Sequence, residues 1–93
     1  LSNAIMESLA CGTPVVGFDI GGNRDMIDHE QNGYLATPID PTSLAEGIDW
    51  ILNHPAPQYL SQNARQKVVE TFEATTVAKQ YAGIYETVIK DFE

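Results

Sequence analysis

Between Asn3 and Ala10 the apolar residues Ile5, Met6, Leu9 and Ala10 fall at helical spacing, which gives a short helix one apolar side. Ser2 or Asn3 can cap its start, because their side-chain oxygens accept from the free amides of a first turn. Gly12 stops it, as a residue able to take positive φ just past the last turn. After Thr13-Pro14 the run Val15-Val16-Gly17-Phe18 is apolar on both faces, the pattern of a strand buried in a parallel sheet. Gly21-Gly22 predicts a tight bend, Asn23 to Ile27 a turn or so of helix, and Asn32-Gly33 a turn into the short strand Tyr34-Leu35-Ala36.

Asp40-Pro41 opens the next helix, a capping side chain followed by proline in the first turn. Leu44, Ala45, Ile48, Ile51 and Leu52 predict its buried stripe, and His54-Pro55 closes it. A further helix from about Pro57 carries Leu60, Ala64, Val68 and Phe72 at regular steps. A last one, from about Ala74, carries Val77, Tyr81, Ile84, Tyr85, Val88 and Phe92. There is no internal repeat and no linker. The expected fold class is α/β, part of a Rossmann-like parallel α/β/α domain. It makes one unit over residues 1–93, with strands and helices to about 55 and C-terminal helices over 57–92. So few strands leave a doubly wound sheet incomplete, so neighbours of Val15-Phe18 are expected upstream or on another chain.

Composition narrows the class. With 93 residues and 43% apolar content the chain is globular and suffices for one small domain. The net charge of -8, from 13 acids against 5 bases, lacks the clustered cations of a nucleic-acid footprint. The same balance argues against this surface lying on an anionic membrane. No apolar run approaches a membrane span. The single cysteine, Cys11, cannot form an internal disulfide, so a reducing cytoplasm is the expected setting.

Several residues invite a chemical reading and receive a structural one. Cys11 sits among small residues and is expected to pack. His29 and His54 lack metal-ligand spacing to each other or to the cysteine, so no metal site is expected. Asp19, Asp25, Asp28 and Glu30 read as a solvated acidic turn. Trp50 reads as partial core rather than a sugar-stacking platform, and Tyr81 and Tyr85 as packing residues. Gly21-Gly22 lacks the third glycine of a dinucleotide fingerprint.

Glu7 is different. In open α/β sheets the ligand crevice lies beyond the carboxyl ends of the strands, where helix starts present free amides and a positive dipole end. Asn3 and Glu7 are one turn apart on a face away from Met6 and Ala10. A carboxylate one turn in from such a terminus is placed for sugar hydroxyls rather than for a phosphate. By spacing alone, a solvated helix glutamate remains the ordinary alternative.

The run "NAIMESLACGTPVVGFDIGGNRDMIDHEQNGYLATPIDPTSLAEGI" resembles the C-terminal domain of glycosyltransferase family 4 enzymes of the GT-B fold. The resemblance lies in a Glu-Ser-Leu-Ala-Cys-Gly-Thr-Pro-Val-Val helix-strand unit, a Gly-Gly turn, an Asn-Gly strand and an Asp-Pro-x-x-Leu-Ala helix, all in order. It is strong over the first half, while the later helices fit a less specific tail. It implies that Glu7 holds the ribose hydroxyls of a nucleotide sugar. It also implies that backbone amides of Ser2, Asn3 and Ala4 meet the diphosphate, and that a companion glutamate contacting the donor sugar lies upstream of Leu1. No catalytic residue, metal or cofactor is implied within the chain. The donor is a nucleotide-diphosphate sugar, with uridine the expected base, and the acceptor a saccharide or a lipid-linked group bound by an upstream domain. The implied activity is sugar transfer with retention at the anomeric carbon, in cell-surface polysaccharide or glycoconjugate synthesis. The implied location is cytoplasmic, with the parent free or peripheral at the inner face of the membrane. The alternatives are a non-catalytic nucleotide-sugar-binding or self-associating piece, and a related GT-B epimerase. The run departs from the family at Asn23-Arg24-Asp25, where relatives often have proline and glutamate, and no role passes to Arg24 by resemblance.

Overall fold

The computed structural model describes residues 3–81, with side chains to residue 74. Six elements follow one another: α1 (Asn3–Ala10), β1 (Val15–Phe18), α2 (Asn23–Met26), β2 (Gly33–Ala36), α3 (Pro41–Leu52) and α4 (Pro57–Tyr81). The strands form a parallel pair in which Val15 faces Gly33 and Phe18 faces Ala36. The α/β class and the parallel pairing are as expected. Parallel strands need a crossover between them, and the segment through α2 supplies it.

α1 ends where the sequence places its stop. Gly12 takes φ +76 and its amide donates to the Leu9 carbonyl at 2.9 Å. That turn also presses against α4, since a Cβ at Gly12 would lie 2.5 Å from Ser61 Oγ and 2.6 Å from the Arg65 guanidinium. Met6 and Leu9 of α1 pack with Met26, Ala64 and Val68 into the core between α1, α2 and α4, while Ile5 and Val15 border it. Leu9 is fully buried, so Leu9→Ala would cost about 2–5 kcal/mol. Ala10, expected on the apolar side, is exposed. The core closes on Met6 and Leu9, one turn apart, and Ala10 falls past its edge.

The other face of the strand pair carries α3. Asp40 caps it through Oδ1, which accepts from Thr42 N at 3.0 Å and Ser43 N at 3.3 Å, with Pro41 in the first turn. Its buried side differs from the expected stripe. Ala45, Ile48 and Leu52 are exposed, Leu44 and Ile51 half-buried, and Gly47 is the buried residue. A glycine contributes nothing to a hydrophobic pattern, yet its missing side chain lets the helix backbone come close to the sheet. The inward face is therefore centred on Gly47.

Two further expectations are corrected. Val15-Phe18 is half-buried along its length rather than fully buried, because β2 is its sole strand partner among the described residues. The predicted break before Ala74 is absent: α4 runs without interruption from Pro57 to Tyr81. No glycine or proline interrupts the chain between those ends, and paired threonines alone do not stop a helix. Leu60, Ala64 and Val68 are buried and Phe72 is half-buried, as the spacing predicts. Val77 and Tyr81 lie beyond the described side chains, and Ile84, Tyr85, Val88 and Phe92 outside the described residues.

The turn between α2 and β2 is held by a buried amide. Asn32 Oδ1 accepts from Asp28 N at 2.8 Å and Asn32 Nδ2 donates to Met26 O at 3.0 Å. With both ends satisfied, burial of this side chain carries no desolvation penalty for an orphan group.

Candidate functional site

The short Gly12 turn reverses the chain, so α1 begins at the end of the layer where β1 finishes. The carboxyl end of β2 and the start of α3 lie at the same end, since the strands are parallel and α3 follows β2 directly. This is the crevice edge of an open α/β sheet.

On α1, Met6 and Leu9 anchor the helix inward while Asn3, Ala4 and Glu7 are exposed. The Glu7 carboxylate makes no ion pair with any described residue. It is therefore open to a ligand, on a helix fixed by two buried side chains. Ser2 lies outside the described residues. At the same edge the first amides of α3 are taken by Asp40, which leaves less room there for an added anion.

The loop after β1 is more ordered than a solvated acidic turn. Arg24 donates from Nε to Asp19 Oδ1 at 2.9 Å and from Nη2 to Asp19 Oδ2 at 2.7 Å, a two-point pair across Gly21-Gly22. Those hydrogen bonds hold the Asp19 carboxyl below the usual carboxylate range against an opposing effect of burial, and the charges of Arg24 and His29 add to the lowering. The Arg24 guanidinium is correspondingly pushed up, first by its hydrogen bond to Asp19 and then by that residue's charge. Gly21 makes the turn with φ +55. Asn23 Nδ2 donates to Phe18 O at 2.8 Å and ties the loop to the end of β1. Asp28 pairs with Lys67 of α4 at 3.3 Å, and Glu30 meets His29 Nε2 at 3.2 Å. Asp19, Asp28 and Glu30 thus each hold a partner. The signal available in sequence was a charge of each sign on either side of a Gly-Gly bend.

Two more features escaped the sequence reading. Cys11 is exposed rather than packed, because it continues the helical turn two positions past Leu9 and so faces away from the Leu9 core. Trp50 is half-buried, as expected, but it belongs to a row of rings. His29 meets Tyr34 edge-on at 4.5 Å, Tyr34 meets Trp50 at 5.9 Å, Trp50 meets His54 at 4.9 Å, and His54 lies parallel to Tyr59 at 6.2 Å. The histidines also work on the backbone: His29 Nδ1 accepts from Leu35 N at 3.0 Å and His54 Nδ1 from Ala56 N at 2.9 Å. No group of three His, Cys, Asp or Glu side chains gathers to hold a metal ion among the described residues. Nor is any described helix long and apolar enough to cross a membrane.

The α1–turn–β1 unit thus presents an exposed carboxylate at the crevice edge of a parallel sheet. Residues 2–67 match the family described as glycosyl transferases group 1, and the chain belongs to that family. It is 36% identical over 81 residues to an uncharacterized glycosyltransferase of Methanocaldococcus jannaschii, a match covering 86% of this chain and 21% of the relative. It is 32% identical over 88 residues to the N-acetyl-alpha-D-glucosaminyl L-malate synthase of Bacillus anthracis, covering 94% and 23%. The solved structure of sucrose-phosphate synthase from Thermosynechococcus elongatus superposes with a TM-score of 0.73 at 32% identity, over 98% of this chain and 23% of that one. The fold is the Rossmann-like α/β layer of a GT-B glycosyltransferase. The chain spans about a fifth of the length of these relatives.

Proposed function

We propose that this chain is the part of a retaining glycosyltransferase that binds the nucleotide half of a nucleotide-diphosphate sugar. Glu7 accepts hydrogen bonds from the ribose hydroxyls, and the backbone amides of Ser2, Asn3 and Ala4 receive the diphosphate. The observation that carries this reading is the exposure of Glu7 without an ion-pair partner among the described residues, on a helix whose inward face is fixed by Met6 and Leu9. A carboxylate there is a double acceptor for paired hydroxyls, and amides at a helix start stabilise the negative charge that grows on a departing diphosphate.

The donor is a UDP-sugar, and the acceptor a saccharide or lipid-linked group held by the rest of the protein. The pathway is polysaccharide or glycoconjugate synthesis, carried out in the cytoplasm or at the inner face of the membrane. The names of the relatives support sugar transfer as the chemistry: a glucosaminyl malate synthase, glycogen synthase of Mycobacterium tuberculosis and the phosphatidyl-myo-inositol mannosyltransferase of Mycobacterium leprae. The direct test is donor binding by the full-length protein with Glu7→Gln, set out below.

For the 93 residues taken alone, a second behaviour follows from the exposed Ala45, Ile48 and Leu52 stripe and from β1 with its single described partner. Such a piece associates with itself and transfers nothing, because one carboxylate and one helix start cannot orient two substrates.

A further inference from the structure

The outer edge of β2 is partly covered by the loop before it, through one backbone amide and one side chain. In the parallel register Asp19 N donates to Ala36 O at 2.8 Å, so Ala36, and Tyr34 with it, turn their backbone groups toward β1. Gly33 and Leu35 alternate with them and turn theirs outward. Two of those outward groups are met by the preceding loop. Glu30 N donates to Gly33 O at 2.8 Å, and Leu35 N donates to the imidazole Nδ1 of His29 at 3.0 Å. An imidazole that accepts at Nδ1 carries its proton on Nε2, and His29 Nε2 stands 3.2 Å from Glu30 Oε1. Glu30 reaches that position from the left-handed region, at φ 61, which is uncommon for a residue with a side chain. The result is a carboxylate beside an imidazole that itself accepts from the strand amide.

We infer that His29 is an acid-sensitive latch on the sheet edge, holding Leu35 only while the imidazole is neutral. A second proton must go onto Nδ1, where it faces the Leu35 N–H, and two donors cannot share that contact. The groups around the ring set up the conflict. Two carboxylates stand near it, Glu30 on the same loop and Asp19 at the end of β1, the latter paired with Arg24. β2 contributes the Tyr34 ring at 4.5 Å, α3 the uncharged Trp50 behind it, and α4 Lys67, which is engaged by Asp28. Acidification thus transfers His29 from the strand amide to the carboxylates and bares an edge donor of β2.

The test is NMR on the chain across the titration of His29 itself, followed by its ring nitrogen shifts. Expected are the Nε2–H tautomer above the midpoint and a loss of Leu35 amide exchange protection, corrected for intrinsic rate, of about ten-fold through the same midpoint. His29→Asn supplies a carbonyl oxygen that accepts without titrating, so protection there is retained and flat with pH. His29→Ala loses it at every pH. A neutral Nδ1–H tautomer overturns the proposal, and so does a Leu35 protection profile that is the same in the wild type and in His29→Asn. The tautomer is read on the wild-type chain, so it decides the question even if a variant fails to fold.

Discussion

Gly47 of α3 lies directly over the Tyr34 ring of β2: a Cβ built on it would stand 2.5 Å from Tyr34 Cδ1 and 2.9 Å from Val16 Cγ1. Helix and sheet approach so closely that no side chain fits between them. Gly47→Ala gains about 1 kcal/mol of helix propensity and meets an overpacking cost of about 1–3 kcal/mol. Net destabilisation is expected, read as a lower midpoint in urea. Glu46→Ala, at the exposed neighbouring position, is the control and should leave the midpoint nearly unchanged. A Gly47→Ala chain more stable than wild type contradicts the close packing.

Ile39 presents the opposite case. It is a β-branched residue at φ 56 and 82% exposed, so the left-handed backbone is strained with no burial in return. Ile39→Gly relieves about 1–2 kcal/mol of strain and loses roughly 0.5–1 kcal/mol to unfolded-state entropy. A small gain in stability, up to about 1.5 kcal/mol, is the expected outcome in thermal or chemical denaturation. A clear loss would mean that the isoleucine makes a contact that matters.

The Asp19–Arg24 pair makes a titration prediction. The carboxyl is lowered in the folded chain, so any stability it lends is present above its unfolded value of about 3.9 and is lost as pH falls through its folded value. Arg24→Gln should return Asp19 toward the ordinary carboxylate range, seen in its side-chain carbon shifts. Because both groups are at the surface, the melting temperature near neutral pH should barely move. An Asp19 titration unchanged by Arg24→Gln removes the pair as the cause.

The exposed stripe on α3 predicts association of the isolated chain. Ile48 is 47% and Leu52 77% exposed on one helix face. Ile48→Lys with Leu52→Lys should shift sedimentation toward the monomer while leaving the helical circular dichroism intact. Monomeric wild-type chain at the same concentration rules this surface out as adhesive.

Local punctuation in the sequence located most elements because each signal has a local cause. Gly12 ends α1 through its own φ, and Asp40-Pro41 starts α3 through its own capping bonds. The parallel strands were legible as short apolar runs. The facing of α3 was not, since the residue that decides it, Gly47, has no side chain to register in a hydrophobic pattern. The His29 latch and the Asp19–Arg24 pair were hidden for a related reason: both depend on turns at Glu30 and Gly21 that bring together groups apart in sequence. At the candidate site, helical spacing put Glu7 on the outer face of α1, and the structure finds it exposed there. Its assignment to ribose came from resemblance, because an exposed helix carboxylate has no chemical signature of its own.

The most direct measurement is the dissociation constant of the donor nucleotide sugar for the full-length protein, wild type against Glu7→Gln. The change keeps the shape of the side chain and removes the charge that strengthens its hydrogen bonds, at a cost of about 1.5–3 kcal/mol. Expected is a roughly ten- to hundred-fold weaker constant with an unaltered melting temperature. An unchanged constant with the fold intact contradicts the ribose assignment and, with it, the placement of the nucleotide at the start of α1.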